Sequence, residues 1–210
     1  MELKEPFVIT INREAGSGGR TIGRKLAERL GINYYDKALI EGLVKRFDLS
    51  VSQIEAIKGR RHHWWTDYSN LIYPEGSVDF KDNYYTQTVT SREIFEVEKK
   101  IIEEIAGEES CVIAGRSAFF ILKDHPGRVS IFIRASRQHR LERVMREQEL
   151  SEEEASELID KLDKRRENFT KEYSKTSRYD ARNYDLVLNV DNLSEDEAVD
   201  IIVGYLERHG

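Results

Sequence analysis

The chain has 210 residues, 33 basic and 39 acidic side chains, a formal net charge of −6 and one cysteine. Its 39% hydrophobic and 34% charged residues exclude a disordered polymer and suit one α/β domain with a buried core. The acidic balance argues against nucleic acid or a membrane surface as partner, and the lone Cys111 excludes an internal disulfide. With no leader and no apolar run of membrane-spanning length, the expected compartment is cytoplasmic.

In chain order, Phe7-Val8-Ile9-Thr10-Ile11 is the first expected strand: short, β-branched and apolar on both faces. Ile22, Leu26 and Leu30 recur every four residues as a helix, and Gly31 stops it. A second strand ends at Tyr34-Tyr35. Residues 60–88 are aromatic, polar and aperiodic, with a turn at Pro74 and Gly76, and are expected to form an insertion over the site. His62-His63-Trp64-Trp65 within it matches no zinc spacing and is expected to pack or to enclose a ligand. Thr90 with Glu93 forms a capping box ahead of the helical positions Ile94, Val97, Ile101 and Ile105. Strands follow at Cys111–Ala114 and Val129–Ile133, a helix capped by Ser151 and Glu154, a strand at Leu186–Val190, and a last helix from Ser194 and Glu197 to near Gly210. Apolar strands alternating with helices predict a parallel, doubly wound α/β sheet.

The strongest chemical signal joins the first strand to the first helix: Ile9-Thr10-Ile11-Asn12-Arg13-Glu14-Ala15-Gly16-Ser17-Gly18-Gly19-Arg20-Thr21. Glycines let the backbone turn tightly, successive amides converge, and the helix start adds partial positive charge, which together suit a phosphate. Gly16, Ser17, Gly18, Gly19, Arg20 and Thr21 are therefore the expected cofactor-binding residues. The Walker A pattern G-x-x-x-x-G-K-[ST] is modified: Arg13 stands at its first glycine and Gly19 at its lysine. Arg20, Arg13 or Arg24 can supply the missing cation, and the Thr21 hydroxyl suits Mg2+. A dinucleotide-binding turn, as in an NAD-type dehydrogenase, would need glycine where Thr21 stands.

Asp36 lies at the C-terminal end of the second strand, where open α/β sheets bind ligands, and can hold a Mg2+-bound water or orient an attacking hydroxyl. It also suits an N-cap for a helix from Lys37. Gly115-Arg116 ends the Cys111–Ala114 strand at the same edge. Arg137, Arg140 and Arg143 recur at i, i+3 and i+6, so they neighbour one another on a helix.

INREAGSGGRTIGRKLAERLGINYYDKALI, CVIAGRSAFFIL and NYDLVLNVDNLSEDEAVDII together resemble the cytidylate kinase-like family, a branch of the nucleoside-monophosphate kinases. The resemblance implies a P-loop NTPase fold: a three-layer αβα sandwich around a five-stranded parallel sheet of order 2-3-1-4-5. Over residues 1–210 it implies one domain, with an acceptor-binding insertion at 37–90 and a lid at about 137–175. By the same resemblance Arg116 holds the phosphate of the acceptor, Arg140 and Arg143 are lid-side arginines, and Arg165 is a second lid arginine with Arg166 replacing a common aspartate.

The expected function is ATP-dependent phosphoryl transfer to a small acceptor, first a nucleoside monophosphate such as CMP. Arg20, Asp36, Arg140 and Arg165 are the expected catalytic residues, Asp36 and Arg116 bind substrate, and Thr21 and Asp36 hold Mg2+. The alternative is a catalytically weak or inactive nucleotide-binding regulatory protein, motivated by the absent lysine.

Overall fold

Val8–Arg13 forms β1, the central strand of the sheet, and its first five residues are buried. The computed structural model describes residues 6–36, 40 and 91–209. The expected acceptor insertion at 37–90 (Ile40 aside), the His62-His63-Trp64-Trp65 run and the cap at Thr90 lie outside the described residues. After β1 come α1 (Gly19–Leu30), β2 (Asn33–Asp36), α2 (Ser91–Glu108), β3 (Cys111–Ala114) and the short α3 (Ala118–Ile121). Then follow β4 (Arg128–Arg134), α4 (Arg137–Gln148), α5 (Glu152–Ser174), a 3₁₀ turn at Ala181–Asn183, β5 (Leu186–Asn189) and α6 (Glu195–His209).

The five strands pair in parallel in the order β2-β3-β1-β4-β5, as the resemblance implied. Parallel pairing needs a crossover between strands, and the helices that make those crossovers cover the sheet. One face carries a core of Val8, Ile113, Ile101, Ile102 and Ile105, joining the sheet to α2. The other joins Ile9, Ile11, Ile131 and Ile133 to Ile22 and Leu26 of α1 and to Ala198 and Ile202 of α6. Each fully buried aliphatic side chain contributes about 1.5–3 kcal/mol relative to exposure. The expected doubly wound architecture is therefore a three-layer sandwich.

Local signals set the helix ends. Gly31 closes α1 at φ +66°, its N–H reaching the carbonyls of Ala27 and Glu28. The Ser151–Glu154 box is formed on both sides, with Glu154 N–H to Ser151 Oγ at 3.3 Å and Ser151 N–H to Glu154 Oε2 at 2.9 Å. Ser194 and Glu197 repeat the arrangement at 3.2 and 2.9 Å.

One strand departs from expectation. Leu186–Val190 reads as apolar on both faces, yet β5 alternates and Val187 is 42% exposed. Among the described residues it is an edge strand with a partner on one side, and its apolar packing is from Leu186 and Leu188 into the core that α6 shares.

A third, smaller core couples α4 and α5 to the turn after β1. Leu141 and Val144 of α4 pack with Ala155 and Ile159 of α5 and with Ala15. The register brings several strand ends to one edge: Asp36 lies beside Ala114, Ala114 beside Ile11, and Arg13 beside Ile133.

Candidate active site

The turn from Glu14 to Gly18 leaves the C-terminal end of β1 and opens α1. Gly16 and Gly18 have φ of +81° and +75°, and Gly18 is the N-cap of α1. The first helical bond described runs from Ile22 N–H to Gly18 O at 3.0 Å, which leaves the amides of Gly19, Arg20 and Thr21 at the helix mouth. They carry the positive end of the helix dipole. Ser17 is buried, and its hydroxyl donates inward to Glu14 O at 2.9 Å. Its side chain therefore shapes the turn, and its backbone is what it can offer an anion.

Arg20 and Asp36, singled out separately in sequence, meet. Arg20 Nε donates to Asp36 Oδ2 at 2.9 Å, with Nη2 also at 2.9 Å. Asp36 is 3% exposed and is the last residue of β2, so its position at the sheet edge is as expected. The Thr21 hydroxyl accepts from Arg143 Nη2 at 3.5 Å. The hydroxyl of Thr21 and the carboxylate of Asp36 are hard oxygen donors of the kind Mg2+ takes while keeping several waters. Among the described residues no group of three or more His, Cys, Asp or Glu forms a denser metal cage. By donor type, these two side chains suit Mg2+.

Arg13 stands over Gly19. A Cβ placed on Gly19 would meet Arg13 Cβ at 2.6 Å and Cγ at 3.0 Å. A Cβ on Gly115 would strike the Arg13 guanidinium itself. The side chain therefore crosses from the mouth of α1 to the end of β3. Burial lowers its pKa, with Arg178 and Arg20 adding to the effect and Tyr34 and Asp36 opposing it.

At the end of β3, Gly115, Arg116 and Ser117 all have positive φ, at +87°, +55° and +55°. The turn directs Arg116 toward α2, where its Nη2 pairs with Glu98. Glu98 is 1% exposed, and the Arg116 guanidinium lies 5.0 Å from the centre of the Phe169 ring. Phe95 stacks on Tyr173 at 3.9 Å and meets Phe169 edge-on at 5.7 Å. Arg116, packed on the Phe169 ring, thus follows the end of β3, where Ala114 lies beside Asp36 and Gly115 beside the Arg13 guanidinium.

The three arginines of α4 separate. Arg137 pairs with Asp160 at 2.7 Å, Arg140 with Asp163 at 2.6 Å, and Arg143 with Glu195 at 2.8 Å and Glu147 at 2.9 Å. Arg140 also donates to Ala15 O at 3.4 Å, so it braces the turn from α4. Arg143 approaches Gly18, where an added Cβ would lie 2.7 Å from its Nη1. Arg165 is exposed on α5 next to Arg166.

Sequence reasoning missed Asp163 and Arg178. Asp163 Oδ1 accepts from Ala15 N–H at 2.9 Å and from Arg178 at 3.2 Å, while Oδ2 takes Arg140. Arg178 is fully buried and also donates to the Arg13 carbonyl and to Asn12 Oδ1. Tyr184 closes the group by accepting from Asn12 at 2.7 Å and donating to Arg178 O at 2.6 Å. Arg166 faces this cluster, 3.7 Å from Asp163, and burial beside Arg13 and Arg178 holds its pKa below the ordinary value. Only the α5 periodicity, which turns Asp163 inward with Ile159 and Thr170, marked it among so many charges.

A profile of the cytidylate kinase-like family matches residues 8–192, and the chain belongs to that family. A protein named cytidylate kinase from Sulfolobus acidocaldarius is 25% identical over 209 residues, covering 95% of this chain and 94% of its own. The structure is similar to that of an uncharacterized protein from Eubacterium ventriosum, with a TM-score of 0.71 and 27% identity, over 96% of this chain and 98% of the other. It shares its fold with a shikimate kinase from Bacteroides thetaiotaomicron at a TM-score of 0.52 and 16% identity, over 96% and 98% of the two chains.

Proposed function

We propose that the chain transfers a phosphoryl group from ATP to a small acceptor, first a nucleoside monophosphate such as CMP. The observation that carries the reading is the meeting, at one sheet edge, of the amide mouth of α1, the Arg20–Asp36 pair and Arg116. In this reading the amides of Gly16–Thr21 take the phosphates of ATP. A cleft beside the turn, lined by Ile22, His139, Arg143, Arg146, Leu193 and Glu195, offers room for its nucleoside.

Thr21 and Asp36 would hold Mg2+, which neutralises charge that builds on the transferred group. Asp36, held by Arg20, orients the acceptor hydroxyl or phosphate oxygen for attack. Arg116 fixes the acceptor, and the aromatic rings of Phe95 and Tyr173 wall off water from that side. Arg140 and Asp163 keep the turn in its shape, and the lid region at 137–175, with Arg165 on its exposed face, closes over the phosphates. Excluding water matters because hydrolysis competes with transfer. The reaction fits a cytoplasmic protein that meets free nucleotides.

A panel of nucleoside monophosphates and small alcohols incubated with Mg-ATP tests the reading. Turnover on one of them is the expected result. No turnover on any, together with no heat of ATP binding, would overturn it. Gly19 at the lysine position favours a second reading, a nucleotide-binding regulator, whose signature is binding without turnover.

A further inference from the structure

We propose that Arg13 is the phosphate-binding cation of this site, taking the part that lysine takes in the Walker A pattern. This assignment rests on the phosphotransferase reading above and names the residue that makes it workable without the lysine. In Walker A the cation grows from the residue at the mouth of α1, and the residue ending β1 is glycine. Here the two are exchanged: Gly19 stands at the mouth and Arg13 ends β1.

Three observations make the exchange a steric necessity as well as a coincidence of sequence. The Arg13 side chain occupies the space a Gly19 side chain would enter, at 2.6 Å from its Cβ and 3.0 Å from its Cγ. Its guanidinium continues to the end of β3, where Gly115 yields the room and Asp36 and Arg20 lie within electrostatic reach. Among the described residues no side chain accepts a hydrogen bond from that guanidinium. The neighbouring arginines differ: Arg20 is on Asp36, Arg140 on Asp163, Arg143 on Glu195, and Arg178 on Asp163. A half-buried arginine, beside the mouth of a helix and with no described side chain accepting from its guanidinium, is placed for a bidentate grip on phosphate oxygens.

The test uses inorganic tripolyphosphate, read by calorimetry, on the full chain and on Arg13→Ala, Arg13→Gln, Gly19→Lys and the double variant Arg13→Gly/Gly19→Lys. Loss of one charge-assisted contact is expected to weaken tripolyphosphate by about ten- to hundredfold in Arg13→Ala. Arg13→Gln keeps the chain over Gly19 and carries the same readout if the alanine variant does not fold. Gly19→Lys alone is expected to melt well below the parent, because the new Cβ meets Arg13. The double variant, which restores the first glycine and the lysine of the Walker pattern and leaves Arg20 at its hydroxyl position, is expected to recover both melting temperature and affinity. If the parent chain ignores tripolyphosphate, the functional reading falls and the assignment with it. If the parent binds and the Arg13 variants bind within about twofold, less than the loss of one charged contact, the assignment alone is overturned. A Gly19→Lys chain as stable as the parent would overturn it too.

Discussion

The amide of Ala15 donates to Asp163 Oδ1 at 2.9 Å, across 148 residues of sequence. A backbone group of the turn between β1 and α1 is thereby held by a carboxylate of α5. The same carboxylate neutralises Arg140 and the fully buried Arg178. Asp163→Ala leaves those cations without their partner. Removing one member of a buried ion pair costs about 3–5 kcal/mol, so urea unfolding of this variant should shift by that order. Asp163→Asn, which keeps an acceptor for Ala15, should lose less. Equal midpoints for parent and alanine variant would refute the hub.

The Arg20–Asp36 pair predicts a split in kinetics. Arg20→Ala should lower kcat by about a hundredfold, the scale of removing one electrostatic contact from a transition state, while ATP affinity changes little. Steady-state kinetics alongside calorimetric titration measure the two. A fall in affinity alone would assign Arg20 to ground-state binding.

Arg166 carries a stability cost that an anion should relieve. Burial first, then Arg13 and Arg178, lowers its pKa, so the folded chain holds this proton less tightly than the unfolded chain. Stability rises with pH wherever the unfolded state binds more protons, so the cost is present at neutral pH and recedes as pH climbs through the lowered value. Arg166→Leu should therefore raise the melting temperature without ligand by about 2–4 °C, the shift that roughly 1 kcal/mol gives at this size. It should also shrink the further rise that tripolyphosphate brings. Differential scanning calorimetry with and without the anion reads both.

Glu98 is predicted to position Arg116. Glu98→Gln keeps the shape and loses the charge that holds the guanidinium. The acceptor KM should rise several-fold with the KM for ATP unchanged, and the rise should be larger in Glu98→Ala. Parallel changes in both KM values would mean a general loss of folding.

Cys111 lies at the start of β3 with no exposed surface, and burial pushes its thiol pKa up. A disulfide exchange reagent at pH 8 should react at a measurable rate only once denaturant is added. Reaction in the native state at the rate of a free thiol would contradict the buried position.

The sheet was readable because parallel strands covered on both faces are nearly continuously apolar, as Cys111–Ala114 and, but for Ser130, Val129–Ile133 are. The turn was readable because glycine spacing reports backbone shape directly. Asp36 and Arg20 were each legible, since one ends a strand and the other opens a helix, but their pairing needed the crossover that sets β2 beside β3. Asp163 and Arg178 were harder to find. In a charged helix the α5 periodicity is the one sign that Asp163 turns inward, and the contacts that tie the pair to Asn12 and Ala15 cross about 150 residues or more of sequence. The spread of Arg137, Arg140 and Arg143 was hidden for a related reason. Their spacing sets their angles on α4, whereas all but one of their acids (Glu147, on α4 itself) come from α5 and α6.

The crossing of Arg13 over Gly19 has a consequence for how such a loop changes through descent. Position 19 accepts no side chain while arginine fills position 13, and glycine at 13 would remove the charge before any lysine arrived. Each single replacement would pass through a protein that is either misfitted at position 19 or, on the assignment proposed for Arg13, lacking its cation. The two positions are therefore expected to vary together among relatives, as one epistatic unit, with lineages seldom passing from one form of the loop to the other.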